Sequence, residues 1–183
     1  DTWREVQARH NYPAAVKTVL GDMLAAAALL SANLKFNGAI IMQIHGDGPV
    51  RLLVVECDAD LRMRATAKQA PDVDIADDVI TLDPLEKMPG QQPYQGIVPL
   101  DGENVATVIE NYMMRSEQLD TRLWPAADDK VSRGLLLQKL PRHSGKDDQT
   151  VQASEEEDLE TWNRAVVLGS TLKQEELLTT DIE

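Results

Sequence analysis

The chain has 183 residues, 43% of them hydrophobic and 4% aromatic, enough for one compact domain whose core is built mainly from Leu, Val, Ile, Ala and Met. Its 31 acids against 18 Lys and Arg leave a formal charge of −13, which repels phosphate backbones and anionic headgroups and argues against nucleic acid or membrane as a partner. The excess is uneven, because eleven acids face three bases between residues 146 and 183 and that tail carries −8.

Thr2-Trp3-Arg4-Glu5 has the spacing of a capping box and predicts a short helix ending near His10-Asn11. Pro13 suits the first position of a second helix. From residue 14 to about 33, Val16, Val19, Leu20, Met23, Leu24, Ala27 and Leu30 recur at helical spacing, and residues 25–28 keep one side slim. A long, mostly buried helix is expected. Its most apolar run, residues 23–30, reads as too short to span a bilayer, and no signal peptide opens the chain. The start at Asp1 without a methionine and the end at Ile182-Glu183 suggest a piece of something longer.

Residues 39–45 and 50–57 are β-branched, apolar runs separated by Gly46-Asp47-Gly48-Pro49, which predicts a hairpin. Asp58-Ala59-Asp60 turns the chain again. Residues 61–67 then alternate, with Leu61, Met63, Ala65 and Ala67 on one face and Arg62, Arg64 and Thr66 on a wet one. Residues 71–78 read as an acidic loop. Short strands are expected at 79–82 and 94–100, around a connection from 83 to 93.

Asp101 can cap a helix whose apolar stripe is Val105, Val108, Ile109, Tyr112 and Met113. Residues 115–120 leave that helix, where Arg115 and Glu117 could pair or face a partner. A second hairpin is expected from strands 121–126 and 134–140, joined through Asp128-Asp129-Lys130. Residues 141–152 read as a polar linker. Ser154-Glu155-Glu156-Glu157 is a second capping box, opening a helix with Leu159, Trp162, Ala165 and Val166 inward and Gly169 at its kink or end. Residues 171–178 add a last amphipathic turn or two. Two helices, a meander of strands, a helix, a hairpin and further helices predict an α+β fold, with largely antiparallel sheet packed against a long buried helix.

The chemistry-bearing residues do not assemble into a site. Gly46-Asp47-Gly48 leads into a strand and lacks the third glycine of a phosphate loop, so it reads as a turn. Asp58-Ala59-Asp60 and Asp72-Val73-Asp74 lack the glycine and distal glutamate of a calcium loop. His10, His45 and His143 have no His or Cys at ligand spacing, and Ser116, Ser144 and Ser170 lack a nucleophile-elbow context. The single cysteine, Cys57, cannot form an internal disulfide, fits a reducing cytosol and reads as a small buried hydrophobe. The expectation is therefore no catalytic, cofactor-binding or metal residue in this chain. The competing reading is a small-molecule-binding or enzymatic α+β domain, which would need a deep pocket around Arg62, Arg64, Arg115 or Glu117. A dimerisation scaffold is a third.

Five stretches occur in one order: LKFNGAIIMQIHGDGPVRLLVVE (34–56), YQGIVPLDG (94–102), YMMRSEQLDTRLW (112–124), GLLLQKLP (134–141) and LKQEELL (172–178). Together they resemble the N-terminal core of the redox-regulated, thirty-three-kilodalton bacterial heat-shock chaperone, the heat shock protein 33 family. The resemblance implies a cytoplasmic, ATP-independent holdase that binds unfolding proteins, with a homodimer when activated. It also implies a C-terminal sensor domain in which four cysteines hold zinc until oxidation pairs them, metal binding and folding being one equilibrium. Those four cysteines are not in this sequence, and Cys57 does not match them. Residues 1–141 are then the chaperone core, and 142–183 an acidic linker and helical segment leading toward the sensor domain. On this reading the acidic excess keeps client complexes in solution.

Overall fold

The computed structural model describes residues 2–33, 38–45, 49–69, 81–82, 85–87, 94–95, 104–140 and 148–180. Helices α1 (Thr2–Arg9) and α2 (Ala14–Asn33) come first, followed by strands β1 (Ala39–His45), β2 (Val50–Asp58) and β3 (Met63–Gln69). Three short strands follow, β4 (Thr81–Leu82), β5 (Leu85–Lys87) and β6 (Tyr94–Gln95). Helix α3 (Val105–Ser116), the hairpin of β7 (Thr121–Ala127) and β8 (Ser132–Gln138), and helices α4 (Asp148–Ser170) and α5 (Gln174–Thr179) complete the order. The fold is α+β with antiparallel sheets. One has six strands in the order β3-β2-β1-β5-β6, with β4 also on β1, and the other is β7-β8.

Helix α2 packs against both sheets, which is why it is apolar nearly all round. On the larger sheet, Ile40, Met42 and Ile44 of β1 stand opposite Cys57, Val55 and Leu53 of β2, which in turn face Met63, Ala65 and Ala67 of β3. All nine belong to one core with Leu20, Met23 and Leu24 of α2. On the hairpin, Leu123 and Leu136 are a cross-strand pair in the same core. The Ser132 hydroxyl donates to the Gly21 carbonyl at 2.7 Å, and a β-carbon at Gly21 would collide with that of Ala127. A slim side of α2 is what lets the hairpin approach so closely. The run 23–30 is too short to span a bilayer, but the whole 20-residue helix has the length and composition to do so; it packs instead against the two sheets.

Helix α1 ties down the far end of the hairpin. Trp3 Nε1 donates to the Asp128 carbonyl at 2.6 Å, Arg4 Nε to that of Lys130 at 3.2 Å and Gln7 Nε2 to that of Asp129 at 3.2 Å. The Asp128 carboxylate meanwhile accepts the N–H groups of Lys130 and Val131, both at 2.7 Å, an Asx turn that draws its pKa down. Pro125 is tolerated in β7 because this strand pairs on one side, with β8.

Several expectations shift. Leu61 is not in the third strand: its φ of 58° places it in the left-handed turn, 47% exposed, and β3 starts at Met63. Asn104, not Asp101, caps α3, its Oδ1 accepting the Thr107 N–H at 2.9 Å. Arg115 and Ser116 are still helical, and the exit is made by Gln118 with φ 56°, which returns the Leu119 N–H to the Met113 carbonyl. Strand β5 lies inside the stretch read as a plain connection. Residues 148–152, read as linker, are helical, so Ser154-Glu157 lies inside α4 and is not its start. Pro13 stands just before α2, its carbonyl accepting the Lys17 N–H at 3.0 Å. The loop at 71–78, Asp101 and residues 96–100 fall outside the described residues.

Candidate interaction surface

Several of the candidate residues that are described make local contacts. Asp58 Oδ1 accepts the N–H groups of Asp60 and Arg62, both at 2.9 Å, and Arg62 also pairs with Asp60. Arg64 Nε donates to Glu56 Oε2 at 2.7 Å across the outer face of the larger sheet. Glu117 accepts the Tyr112 hydroxyl at 3.2 Å, a bond that holds the end of α3. The four residues of the pocket reading are thus split between the β2–β3 turn, the sheet face and the end of α3.

His10 lies 5.4 Å from the Tyr12 ring, His45 Nε2 is 3.3 Å from Gln43 Oε1, and the Ser170 hydroxyl donates to the Val166 carbonyl at 2.8 Å. Gly46-Asp47-Gly48, Asp72-Val73-Asp74, His143 and Ser144 lie outside the described residues. Among the described residues no three His, Cys, Asp or Glu come close enough to hold a metal ion. Cys57 is fully buried, and burial pushes its thiol pKa up, away from the reactive thiolate.

What the structure does present among the described residues is exposed apolar side chains, three of them on α4. This helix meets the body through Trp162, Ala165 and Val166, which are half-buried, and Gly169, which is buried against the Trp124 ring. Away from that seam, Leu159, Val167 and Leu168 are 52%, 63% and 69% exposed. Glu156, Glu160, Asn163 and Arg164 stand with them around a concavity of about 550 Å³. Leu159 therefore points outward, not inward as its spacing from Trp162 and Val166 suggests. A glycine at the contact point rotates the helix toward Trp124, and a hydrophobicity pattern gives a glycine no weight.

The other end of this unit is fixed by α5. Arg133 of β8 donates to the carbonyls of Leu177 and Thr180, capping the C-terminal end of α5 with a guanidinium. At its start, the Lys173 N–H donates to the Glu176 carboxylate at 2.8 Å. The hairpin is thus covered by α2 on one face and by α5 and the end of α4 on the other.

Comparison with known proteins turns this surface into a functional question. The family model described as Hsp33 protein matches residues 1–183. The chain belongs to the Hsp33 family. Relatives named 33 kDa chaperonin include those of Chromobacterium violaceum, 46% identical over 96% of this chain and 58% of theirs, and Methylobacillus flagellatus, 44% identical over 97% and 60%. The chain spans about three-fifths of the length of these relatives. An Hsp33 homologue of known structure, the 33 kDa chaperonin of Thermotoga maritima, superposes with a TM-score of 0.63 over 75% of this chain and 53% of that one, at 20% identity. That likeness confirms the α+β fold.

Proposed function

We propose that this chain is the core of an ATP-independent chaperone that holds unfolding proteins and prevents their aggregation. The observation that carries it is the row of large apolar side chains left in water on α4, in a member of a family whose relatives are named chaperonins. Contiguous exposed apolar surface is unfavourable for a soluble protein unless it binds something, and unfolding chains present complementary apolar segments. The reading extends to a cytoplasmic protein that is not an enzyme, with client proteins as partners, no nucleic acid or membrane, and a homodimer in the active state.

Redox activation belongs to the same proposal but to another part of the molecule. Zinc would be held by four cysteines of a C-terminal domain; this sequence has one cysteine, buried on β2, so the four-thiolate set is not in it and no step is assigned to the metal. The test is light scattering from a chemically unfolded client diluted with the 183-residue chain, without oxidant or ATP. Suppression at near-stoichiometric ratios is expected. No suppression by a chain that circular dichroism shows to be folded overturns the proposal.

A further inference from the structure

The apolar face of α4 and the acidic excess of the chain coincide in space. Leu159, Val167 and Leu168 share their face with Glu156 and Glu160, and the exposed Glu157 and Asp158 lie within the same turn. Arg164 is the base on that face. From Glu156 to Leu168 the helix rises about 18 Å, the length of a three-turn helix or of a five- to six-residue extended segment.

We infer that this face is a docking surface for apolar segments of unfolding proteins that carry Lys or Arg beside their apolar residues, and that it discriminates against acid-flanked segments. The inference rests on the reading of the chain as a client-binding core and adds the chemical class of client. Charge complementarity carries it, since the carboxylates of Glu156 and Glu160 stand on the same face as the apolar row, near its N-terminal end, on a chain of charge −13. Such an arrangement raises the encounter rate of basic segments and repels acidic ones, and salt screens both effects.

A second copy fits this face poorly. Parallel pairing would set acids against acids, and antiparallel pairing would cover Glu156 and Glu160 with the apolar end of the other helix, desolvating them without a partner. An unfolding protein with basic flanks meets both halves of the surface at once.

The experiment is fluorescence anisotropy of three labelled peptides with one shared apolar core, flanked by Lys, Ser or Glu, titrated with the 183-residue chain at low and high salt. The Lys-flanked peptide is expected to bind about tenfold more tightly than the Glu-flanked one, a preference that collapses in high salt. E156Q/E160Q should erase the preference while keeping apolar binding, and V167S/L168S should weaken all three peptides about tenfold. Circular dichroism checks that both variants fold, as expected for exposed side chains.

Equal affinity for the three peptides, or unchanged binding by V167S/L168S, in a chain that still suppresses aggregation overturns this inference and leaves the chaperone reading standing. Unchanged peptide preference in E156Q/E160Q with precipitating client complexes also overturns it, and assigns the acids to solubility. Failure of both peptide binding and aggregation suppression overturns the chaperone reading itself.

Discussion

The ring of Trp124 lies so close over Gly169 that a β-carbon on the glycine would stand 2.6 to 2.9 Å from three ring carbons. This seam orients α4, and with it the outward face of Leu159, Val167 and Leu168. Gly169→Ala therefore has to push the helix or the ring aside, at a cost of about 1–3 kcal/mol. Urea unfolding should show the loss, and hydrogen exchange should show faster opening of residues 156–170. Unchanged exchange in α4 would mean that Trp124 does not position it.

Glu110 of α3 reaches across to β7. Its carboxylate accepts the Leu123 N–H at 2.7 Å and lies 3.5 Å from Arg122, while burial pushes its pKa up. Glu110→Ala leaves a partly buried N–H without its acceptor and should cost about 1–3 kcal/mol in chemical denaturation. Glu110→Gln keeps an acceptor oxygen and should cost distinctly less. Equal losses would assign the effect to packing or charge, not to the hydrogen bond.

Asp22 stands on α2, between two sheets, and burial alone pushes its carboxyl from the ordinary 3.8 up to about 6. The folded state holds this proton more tightly than the unfolded chain does. Its stabilising contribution is complete below about pH 4 and is lost as pH rises through about 6. Asp22→Asn should therefore stabilise the protein at pH 7.5 by ~1–2 kcal/mol once solvent screening is allowed for, with the difference shrinking toward pH 4. Thermal melts across that window check it, and a pH-independent difference would exclude titration of Asp22 as the cause.

Trp3 donates to the Asp128 carbonyl from a nearly buried ring. Trp3→Phe preserves most of the apolar contact and removes the donor, so about 1 kcal/mol of stability should go. The amides of residues 128–131 should exchange faster in that variant. A change spread over the whole chain would instead point to a packing defect in the core.

Much of the architecture is legible from spacing. The 3.6-residue recurrence of Val16, Leu20, Met23, Leu24 and Leu30 marks α2, the alternation from Met63 to Ala67 marks β3, and the stripe from Val105 to Met113 marks α3, because burial on one face leaves a period in the chain. Turn chemistry at Asp58 and Asp128 is legible for the same local reason, since each carboxylate bonds amides two to four residues away. The five ordered stretches from residue 34 to 178 carried the family without any catalytic motif. The segment Asn111–Thr121 is a helix exit: Met113 is core, Glu117 braces Tyr112, and Gln118 turns the chain.

The sequence by itself determined most of the long elements, the family and the acidic balance, because propensity, periodicity and charge are properties of neighbouring residues. On α4, only the tertiary structure decided which residues are hidden. Leu159 has the spacing of a core residue and is half in water, whereas Gly169 has no side chain and is buried. The reason is steric: α4 turns toward the hairpin the one position where Trp124 can sit against bare backbone. No periodicity records that contact between residues forty-five positions apart, and it is this contact that leaves an apolar, acid-bordered face open to a partner.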